Sequence, residues 1–347
     1  RSPSRGLGDV YKRQAVMSRK EKPFHILSSS QFDRDFLDYM CVLTDTIRRF
    51  DKSKEGLMYL KGLLAHKRSM LYFTQPSTRT FLSFQSACHI VGMPTSDIRD
   101  SSTSSERKGE SIEDSLRTFS SYVDMIVMRT AVPGLCDRIA AYLDETERPV
   151  PIINAGSGPD EHPTQALLDI YTLNRSFIRS DGIDGKTITL VGDLKRGRTV
   201  RSLSQLLTNY QDVNLRFISP PQFRIEDDLR TMLQDKGIKF EESDDLEGAL
   251  EYSDAVYMTR VQDEYDTNNE SAGVDTSRFH LKYHHLKKMK KSSVIMHPLP
   301  RRNELDVEID NDPRAKYWRQ ERNGMWTRVA LLTKILGVDN KIVLPEL

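Results

Sequence analysis

Polar and basic clusters recur along the chain at points where short apolar runs end. The first is the cluster Ser77, Thr78, Arg79 and Thr80. Hydroxyls and free backbone N–H groups at a helix start bind anions, and an arginine adds a bidentate donor suited to phosphate. The alternative interpretation is a Ser/Thr helix cap beside a surface arginine, and taken alone the cluster favours the cap.

Three later clusters also contain candidate binding residues. His162 begins a predicted helix, and Gln165 follows about one turn later, so both side chains can reach one carbonyl oxygen. A lone histidine is nevertheless more often structural. KRGRT at 195–199 is a cationic turn whose plain alternative is a solvated basic loop. HPLP at 297–300 has prolines on both sides of a leucine, which stiffens the loop and leaves backbone carbonyls as acceptors.

Alternating strands and helices must position these clusters. Apolar runs predict strands at 70–73, 124–129, 150–156, 187–193, 215–220, 254–260 and 293–300. Helices are predicted from about Thr78, near 135–143, from His162, over 200–207 and over 325–336. Strands separated by helices predict an α/β fold with parallel sheets, whose ligands lie beyond the carboxyl ends of the strands.

The length fits two such domains at roughly 100–200 residues each. We predict a first domain over 23–165 and a second over 166–323, each a parallel sheet flanked by helices. The C-terminal helix, within 324–347, is predicted to pack back on the first domain. RSPSRGLGDVYKRQ at 1–14 is interpreted as a non-native segment derived from a sequencing adapter, and it is left out of the fold prediction.

The composition excludes several classes of protein. Lys+Arg number 51 and Asp+Glu 50, a net charge of +1 that gives no reason to expect nucleic-acid or membrane binding. No apolar run approaches the roughly 18 residues needed to span a bilayer. Cys41, Cys88 and Cys136 form no CxxC pair, which predicts reduced thiols in a cytoplasmic protein with no metal site.

The order of the clusters is more specific than any one of them. STRT, VMR, HPTQ, GRT, TRVQ and HPLP follow one another between about Phe24 and the end, within stretches such as VGDLKRGRTV, YMTRVQ and NGMWTRVALL. In this order they closely resemble the aspartate carbamoyltransferase catalytic chains of the aspartate/ornithine carbamoyltransferase family. The resemblance implies transfer of a carbamoyl group from carbamoyl phosphate to the amine of L-aspartate, the committed step of de novo pyrimidine biosynthesis.

The resemblance also implies a role for each cluster. The residues implied to bind carbamoyl phosphate are Ser77, Thr78, Arg79, Thr80, Ser104, Lys108, Arg129, His162 and Gln165. Those implied to bind aspartate are Lys108, Arg198, Arg260, Gln262 and, through backbone carbonyls, Pro298 and Leu299. The implied catalytic set is Arg79, Thr80, Lys108, Arg129 and His162. Ser104 and Lys108 would enter the site of a neighbouring subunit, which implies a homotrimer with shared active sites, compatible with added regulatory chains or a dihydroorotase partner.

The implied chemistry agrees with these residue types. Arg79, Lys108, Arg129, Arg198 and Arg260 supply five cations for a phosphate dianion and two carboxylates. Thr80, Arg129 and His162 would stabilise the negative charge that develops on the carbonyl oxygen. Phosphate is a good leaving group that can accept the amine proton, so we expect no protein nucleophile, metal or cofactor to be needed.

The sequence departs from the family pattern in two pairs. Gln75 and Tyr265 stand where relatives commonly carry a glutamate and an arginine, and Phe81 and Gln85 replace an i,i+4 ion pair. Each pair loses both charges, which leaves no lone charge behind and predicts intact phosphate binding with an altered domain closure.

Two alternative functions stay open. One is a carbamoyltransferase for another acceptor such as ornithine, although ornithine enzymes typically carry HCLP where this chain has HPLP. The other is a non-catalytic, carbamoyltransferase-like scaffold. The presence of Arg79, Lys108 and His162 argues against the scaffold.

Overall fold

The computed structural model of the chain describes residues 24–100, 109–157, 161–262 and 273–343. Within these ranges the strands form two sheets, and every strand pair in both sheets is parallel. The predicted α/β class with two parallel sheets is therefore confirmed.

The first sheet has the strand order β2-β1-β3-β4. Its strands are β1 (Ser69–Phe73), β2 (Thr95–Ile98), β3 (Met125–Thr130) and β4 (Ile152–Ser157). The accompanying helices are α1 (Arg34–Phe50), α2 (Lys54–Leu63), α3 (Thr78–Ile90), α4 (Ile112–Ser120) and α5 (Leu135–Asp144). Strands β1, β3 and β4 are buried along their whole length, as expected for strands of a parallel sheet covered by helices on both faces.

The second sheet has the strand order β7-β6-β5-β8-β9. Its strands are β5 (Thr187–Val191), β6 (Asn214–Ile218), β7 (Lys239–Ser243), β8 (Ala255–Met258) and β9 (Val294–Met296). The remaining helices are α6 (Pro163–Phe177), α7 (Arg198–Leu207), α8 (Asp227–Asp235), α9 (Leu246–Leu250) and α10 (Tyr317–Ile335).

Helices α6 and α10 join the two halves. Ile170 of α6 and Val329 of α10 belong to one buried apolar cluster that also contains Leu71 of β1 and Leu190 of β5. Helix α10 contacts α1, α3 and α6, which confirms that the last helix packs back on helices of the first half. It begins at Tyr317, earlier than predicted. The prediction missed this part because the segment YWRQERNG before Met325 has no apolar periodicity.

Two predicted boundaries differ from the structure. Strand β9 ends at Met296, so the predicted strand at 293–300 was too long and HPLP forms a loop. Prolines lack the N–H that a strand ladder needs, which explains the early end. The predicted domain junction at residue 165 lies inside α6, and the domain limits stay a prediction.

The three cysteines are buried and free. No helix in the described part of the chain is both long enough and apolar enough to cross a membrane.

Candidate active site

Both sheets contain a point where successive crossovers run in opposite directions, between β1 and β3 and between β5 and β8. Ligands of parallel sheets bind at such points, outside the carboxyl ends of the strands. One cavity of about 360 Å³ lies where the two sets of strand ends meet. Twelve residues predicted from the sequence line it, namely Ser77, Thr78, Arg79, Thr80, Arg129, His162, Gln165, Arg198, Arg260, Gln262, Pro298 and Leu299. The predicted residues Ser104 and Lys108, and the departure at Tyr265, lie outside the described residues.

The start of α3 forms one wall of the cavity. Ser77 is the N-cap residue, and its side chain makes no capping hydrogen bond. The first backbone N–H groups of a helix have no partner inside the helix, and together with the helix dipole they attract an anion. Burial lowers the pKa of Arg79, with nearby Arg260 adding to the effect and Glu321 opposing it. This corner therefore offers backbone donors and a guanidinium to a phosphate group.

Arg129 is fixed at the end of β3. Its side chain is 7% exposed, and Nη1 donates to the backbone oxygen of Ala155 at 3.0 Å. Gly156 has φ +114°, and a Cβ atom there would lie 2.7 Å from Arg129 Nη1. The glycine therefore gives the guanidinium the space to reach the cavity.

His162 is a neutral imidazole at the N-cap of α6. Its ring is buried, and no described residue hydrogen-bonds to Nδ1. Burial lowers its pKa well below the usual value, and the neighbouring guanidinium groups of Arg129 and Arg198 lower it further. Its backbone N–H donates to Ser202 Oγ of α7 at 3.1 Å, so the second half of the chain holds it in place. A neutral ring can donate one N–H to a carbonyl oxygen without carrying charge.

Gln165 is oriented by a buried carboxylate. Its Nε2 donates to Asp169 Oδ1 at 3.0 Å, one turn further along α6. Gln320 Nε2 donates to the same oxygen at 2.7 Å, and the Tyr257 hydroxyl donates to Oδ2 at 2.8 Å. With its amide nitrogen directed at Asp169, Gln165 presents its carbonyl oxygen as an acceptor for an amino group in the cavity.

Asp193, directly after β5, connects the two loops that carry the second set of predicted residues. Its Oδ1 accepts from the backbone N–H of Arg196 at 3.2 Å, and its Oδ2 accepts from the backbone N–H of Gln262 at 3.1 Å. The side chain is fully buried. It therefore fixes the turn before Arg198 relative to the segment after Arg260.

The HPLP loop is held by its buried histidine. His297 Nδ1 accepts from the backbone N–H of Leu299 at 2.7 Å, so the ring proton is on Nε2, which donates to Glu304 at 2.8 Å. The backbone N–H of His297 donates to Gln320 Oε1 at 3.0 Å. Because Gln320 also donates to Asp169, the loop and Gln165 belong to one hydrogen-bond network.

Two lining residues were missed by the sequence prediction. Arg328 is 4% exposed, donates to Ser83 Oγ at 2.7 Å, and has a pKa lowered to about 10 by burial. Glu321, one of the lining residues, has a pKa raised by burial, an effect that Arg328 and Arg79 oppose. They stand seven residues apart on α10 and so share a face, which is the pattern that could have revealed them.

The described lining contains five arginines, namely Arg79, Arg129, Arg198, Arg260 and Arg328. Glu321 is the one carboxylate among the described lining residues. The cavity therefore has a strong positive potential and suits a ligand, or a pair of ligands, with several negative charges.

Comparison with known families agrees with this geometry. Residues 25–175 match the family described as aspartate/ornithine carbamoyltransferase, carbamoyl-P binding domain, and residues 184–335 match its Asp/Orn binding domain. The chain is 40% identical over 319 residues to aspartate carbamoyltransferase 1, chloroplastic, of Pisum sativum, covering 90% of this chain and 78% of that protein. It is 39% identical over 313 residues to the aspartate carbamoyltransferase catalytic subunit of Thermococcus gammatolerans, covering 90% and 97%.

A longer relative is the multifunctional protein CAD of Squalus acanthias, 44% identical over 313 residues. That match covers 90% of this chain and 13% of the CAD protein. Among solved structures, the chain resembles aspartate transcarbamoylase from Trypanosoma cruzi in complex with carbamoyl phosphate and aspartate. The TM-score is 0.80 and the identity 33%, over 90% of this chain and 96% of that one. The catalytic subunit of the M. Jannaschii enzyme gives 0.77 and 35%, over 91% and 99%.

Proposed function

The chain belongs to the aspartate/ornithine carbamoyltransferase family, and we propose that it transfers the carbamoyl group of carbamoyl phosphate to the amine of L-aspartate. The products are N-carbamoyl-L-aspartate and phosphate, at the committed step of de novo pyrimidine biosynthesis. The observation that carries the proposal is the single cavity in which phosphate-type donors from the first half face Arg198 and Arg260 from the second.

Carbamoyl phosphate fits the wall formed by the first half. Its phosphate would accept from the backbone N–H groups and hydroxyls at the start of α3 and from the guanidinium of Arg79. Its carbonyl oxygen would accept from Thr80, Arg129 and His162. Its amino group would donate to the carbonyl oxygen of Gln165, whose orientation is fixed by Asp169.

Aspartate fits the wall formed by the second half. Arg198 and Arg260 can each bind one carboxylate bidentately, which a lysine could not reproduce. Gln262 would also bind the carboxylates. The backbone carbonyls of Pro298 and Leu299 would hold the amine, which must reach the carbonyl carbon as a neutral nucleophile. On the basis of these roles we propose residues 166–323 as the acceptor-binding domain and residues 23–165, with the C-terminal helix, as the carbamoyl phosphate-binding domain.

The reaction then needs positioning and charge stabilisation. The amine nitrogen attacks the carbonyl carbon, the bond from that carbon to the phosphate oxygen breaks, and phosphate takes up the amine proton. Negative charge that develops on the carbonyl oxygen is stabilised by Arg129 and by the neutral ring of His162; removing one such donor typically costs about 100- to 1000-fold in rate. Holding two anions in reactive contact supplies much of the remaining acceleration.

We further propose a homotrimer in which Ser104 and Lys108 enter the cavity of a neighbouring subunit. The support is the family resemblance of the loop SSTSSERKGES. Lys108 would add a cation at the phosphate. The CAD relative is much longer than this chain. We therefore also propose that this chain works with a partner activity such as a dihydroorotase.

The departures from the family pattern bear on domain closure. Phe81 is buried and packs edge-to-face on Phe73, with ring centroids 5.4 Å apart, so an apolar contact takes the place of the ion pair expected there. We propose that phosphate binding is retained and that closure relies on contacts other than a bridge between positions 75 and 265.

The proposal is tested by the kinetics of Arg260→Ala. The Michaelis constant for aspartate should rise and turnover should fall, while the dissociation constant of carbamoyl phosphate stays nearly unchanged. Succinate, which has both carboxylates and no amine, should compete with aspartate in the wild type. Arg224→Ala, which removes an exposed arginine outside the cavity, is the matched control and should behave as wild type. Failure of succinate to compete would contradict the assignment of aspartate as acceptor.

A further inference from the structure

A second charged concavity lies outside the active site, between α1, α6 and α10. We call it the α1–α6–α10 groove, and its volume is about 620 Å³. It is lined by seven basic side chains, namely Arg48, Lys52, Arg175, Arg179, Lys316, Arg319 and Arg322. Asp51 is the one carboxylate among its described lining residues. The chain as a whole has a net charge of +1, so this excess is local.

Most of these cations form no close ion pair with a residue that the structure describes. Lys52, Arg179 and Arg319 form no ion pair with any described residue. Arg48 donates to the neutral side chain of Asn323 at 2.6 Å. Arg322 lies 3.7 Å from Asp51, which is at the outer limit for an ion pair. The one close pair is Arg175 with Asp45, which stands next to the groove on α1.

The cations of α10 also occupy an electrostatically unfavourable position. Lys316, Arg319 and Arg322 stand at the N-terminal end of the helix, whose first turn contains no acidic residue. The helix dipole disfavours cations there, and the three side chains repel one another. Burial lowers the pKa of Lys316 and the charge of Arg319 lowers it further, while the charge of Asp312 opposes both effects. This arrangement costs stability unless an anion neutralises it.

The size of the groove limits the kind of anion. A volume of about 620 Å³ falls within the range of small-molecule sites and exceeds what one phosphate group fills. Guanidinium groups from three helices converge on it, and arginine is the side chain best suited to bind phosphate oxygens bidentately. Buried Trp326, the methyl group of Thr172 and the methylene groups of the arginines add apolar surface to the lining.

We propose that the α1–α6–α10 groove is a binding site for a polyphosphate, the chemistry shared by nucleoside triphosphates and inorganic polyphosphate. Phosphates of the ligand contact Arg179 and Arg319, which have no ion pair within the described ranges, together with Arg48 and Arg322. The site is separate from the catalytic cavity, with which it shares no lining residue.

The test is isothermal titration calorimetry of the full chain with tripolyphosphate, ATP and AMP at low salt. Wild type should bind tripolyphosphate and ATP and bind AMP far more weakly. Arg179→Ala combined with Arg319→Ala should lower the affinity for tripolyphosphate by about tenfold or more, as expected for two lost charge-assisted contacts. Arg117→Ala combined with Arg224→Ala removes the same charge from exposed positions elsewhere and should leave the affinity unchanged.

Arg79→Ala separates this site from the catalytic cavity. Tripolyphosphate binding should persist in that variant, because Arg79 does not line the groove. ATP bound more tightly than tripolyphosphate identifies the nucleoside triphosphate as the source, and equal affinities identify the phosphate chain alone. The proposal is overturned by absence of binding in wild type, by unchanged affinity in the Arg179/Arg319 variant, by loss of binding in Arg79→Ala, or by AMP binding as tightly as ATP.

Discussion

The hydroxyl of Tyr257 donates to Asp169 Oδ2 at 2.8 Å and thereby ties β8 of the second sheet to α6. Both side chains are fully or almost fully buried, and Asp169 also accepts from Gln165 and Gln320 through its other oxygen. One carboxylate therefore connects three parts of the protein. These are Gln165 in the cavity, helix α10, which supports the HPLP loop through Gln320, and the second sheet. We infer that Asp169 is a positioning residue for the reaction.

Substitution of Asp169 tests this role. Asp169→Ala leaves the donors of Gln165, Gln320 and Tyr257 without their acceptor, at a cost of roughly 1–3 kcal/mol for each buried group left unsatisfied. Turnover should fall strongly. Asp169→Asn keeps one oxygen for the two amides and can donate to the tyrosine oxygen, so it should rescue most of the activity. Equal loss in both variants, measured at a temperature where both remain folded, would count against positioning through these hydrogen bonds.

The same residue should give a pH-dependent stability. Burial raises the pKa of Asp169 to about 7, whereas the hydrogen bonds from Tyr257, Gln320 and Gln165 oppose the rise. In the unfolded chain the carboxyl loses its proton near its ordinary value, so its contribution to stability is present at low pH and lost as the pH rises through about 7. Between about pH 4 and 7, wild type should lose stability relative to Asp169→Asn, by up to about 1.4 kcal/mol per pH unit, with no further loss at higher pH. Denaturant unfolding checks this, and a constant difference between the two proteins across that range would contradict it.

Arg79 is the residue on which phosphate binding should depend most. Arg79→Ala removes a guanidinium from the start of α3 and should lower kcat/KM for carbamoyl phosphate by about 100- to 1000-fold. Steady-state kinetics with Arg224→Ala as control measure the effect. Near-normal turnover in Arg79→Ala would contradict the assignment of Arg79 to phosphate binding.

Shared active sites predict complementation between inactive chains. In a trimer mixed at random from equal amounts of Arg79→Ala and Lys108→Ala chains, about one quarter of the sites would combine an intact Arg79 with an intact Lys108 from the neighbour. Activity should therefore return after the chains are dissociated, mixed and reassembled. A mixture that stays inactive, while wild-type chains treated in the same way recover, would show that Lys108 does not act across subunits.

The buried strands and the order of the clusters could be predicted from the sequence, because apolar runs such as those of β1 and β5 are followed directly by polar residues. The edge strands β2 and β7 could not be predicted in this way. Their residues, Thr95–Ile98 and Lys239–Ser243, are largely polar and partly exposed, whereas the edge strands β4 and β9 are buried. Strands β2 and β7 lack the apolar run on which the prediction relied.

The supporting residues of the site were also beyond the sequence prediction. Asp169 stands four residues after Gln165 and Arg328 stands seven after Glu321, so each pair shares a helix face. The packing of α6 against α10 brings these residues to the cavity. The two helices are about 150 residues apart in the sequence, and the hydrogen bond from Asn323 to Thr172 is one contact between them. No local pattern encodes that contact, and only the three-dimensional structure shows it.

The central claim is that Arg198 and Arg260 select an acceptor with two carboxylates. It is tested most directly by giving the protein limiting carbamoyl phosphate with equimolar aspartate and ornithine, and by quantifying both products by mass spectrometry against a blank without protein. Ornithine carries a cationic group at its far end, which two guanidinium groups repel. N-carbamoyl-aspartate should account for nearly all the product, whereas citrulline as the main product would contradict the claim.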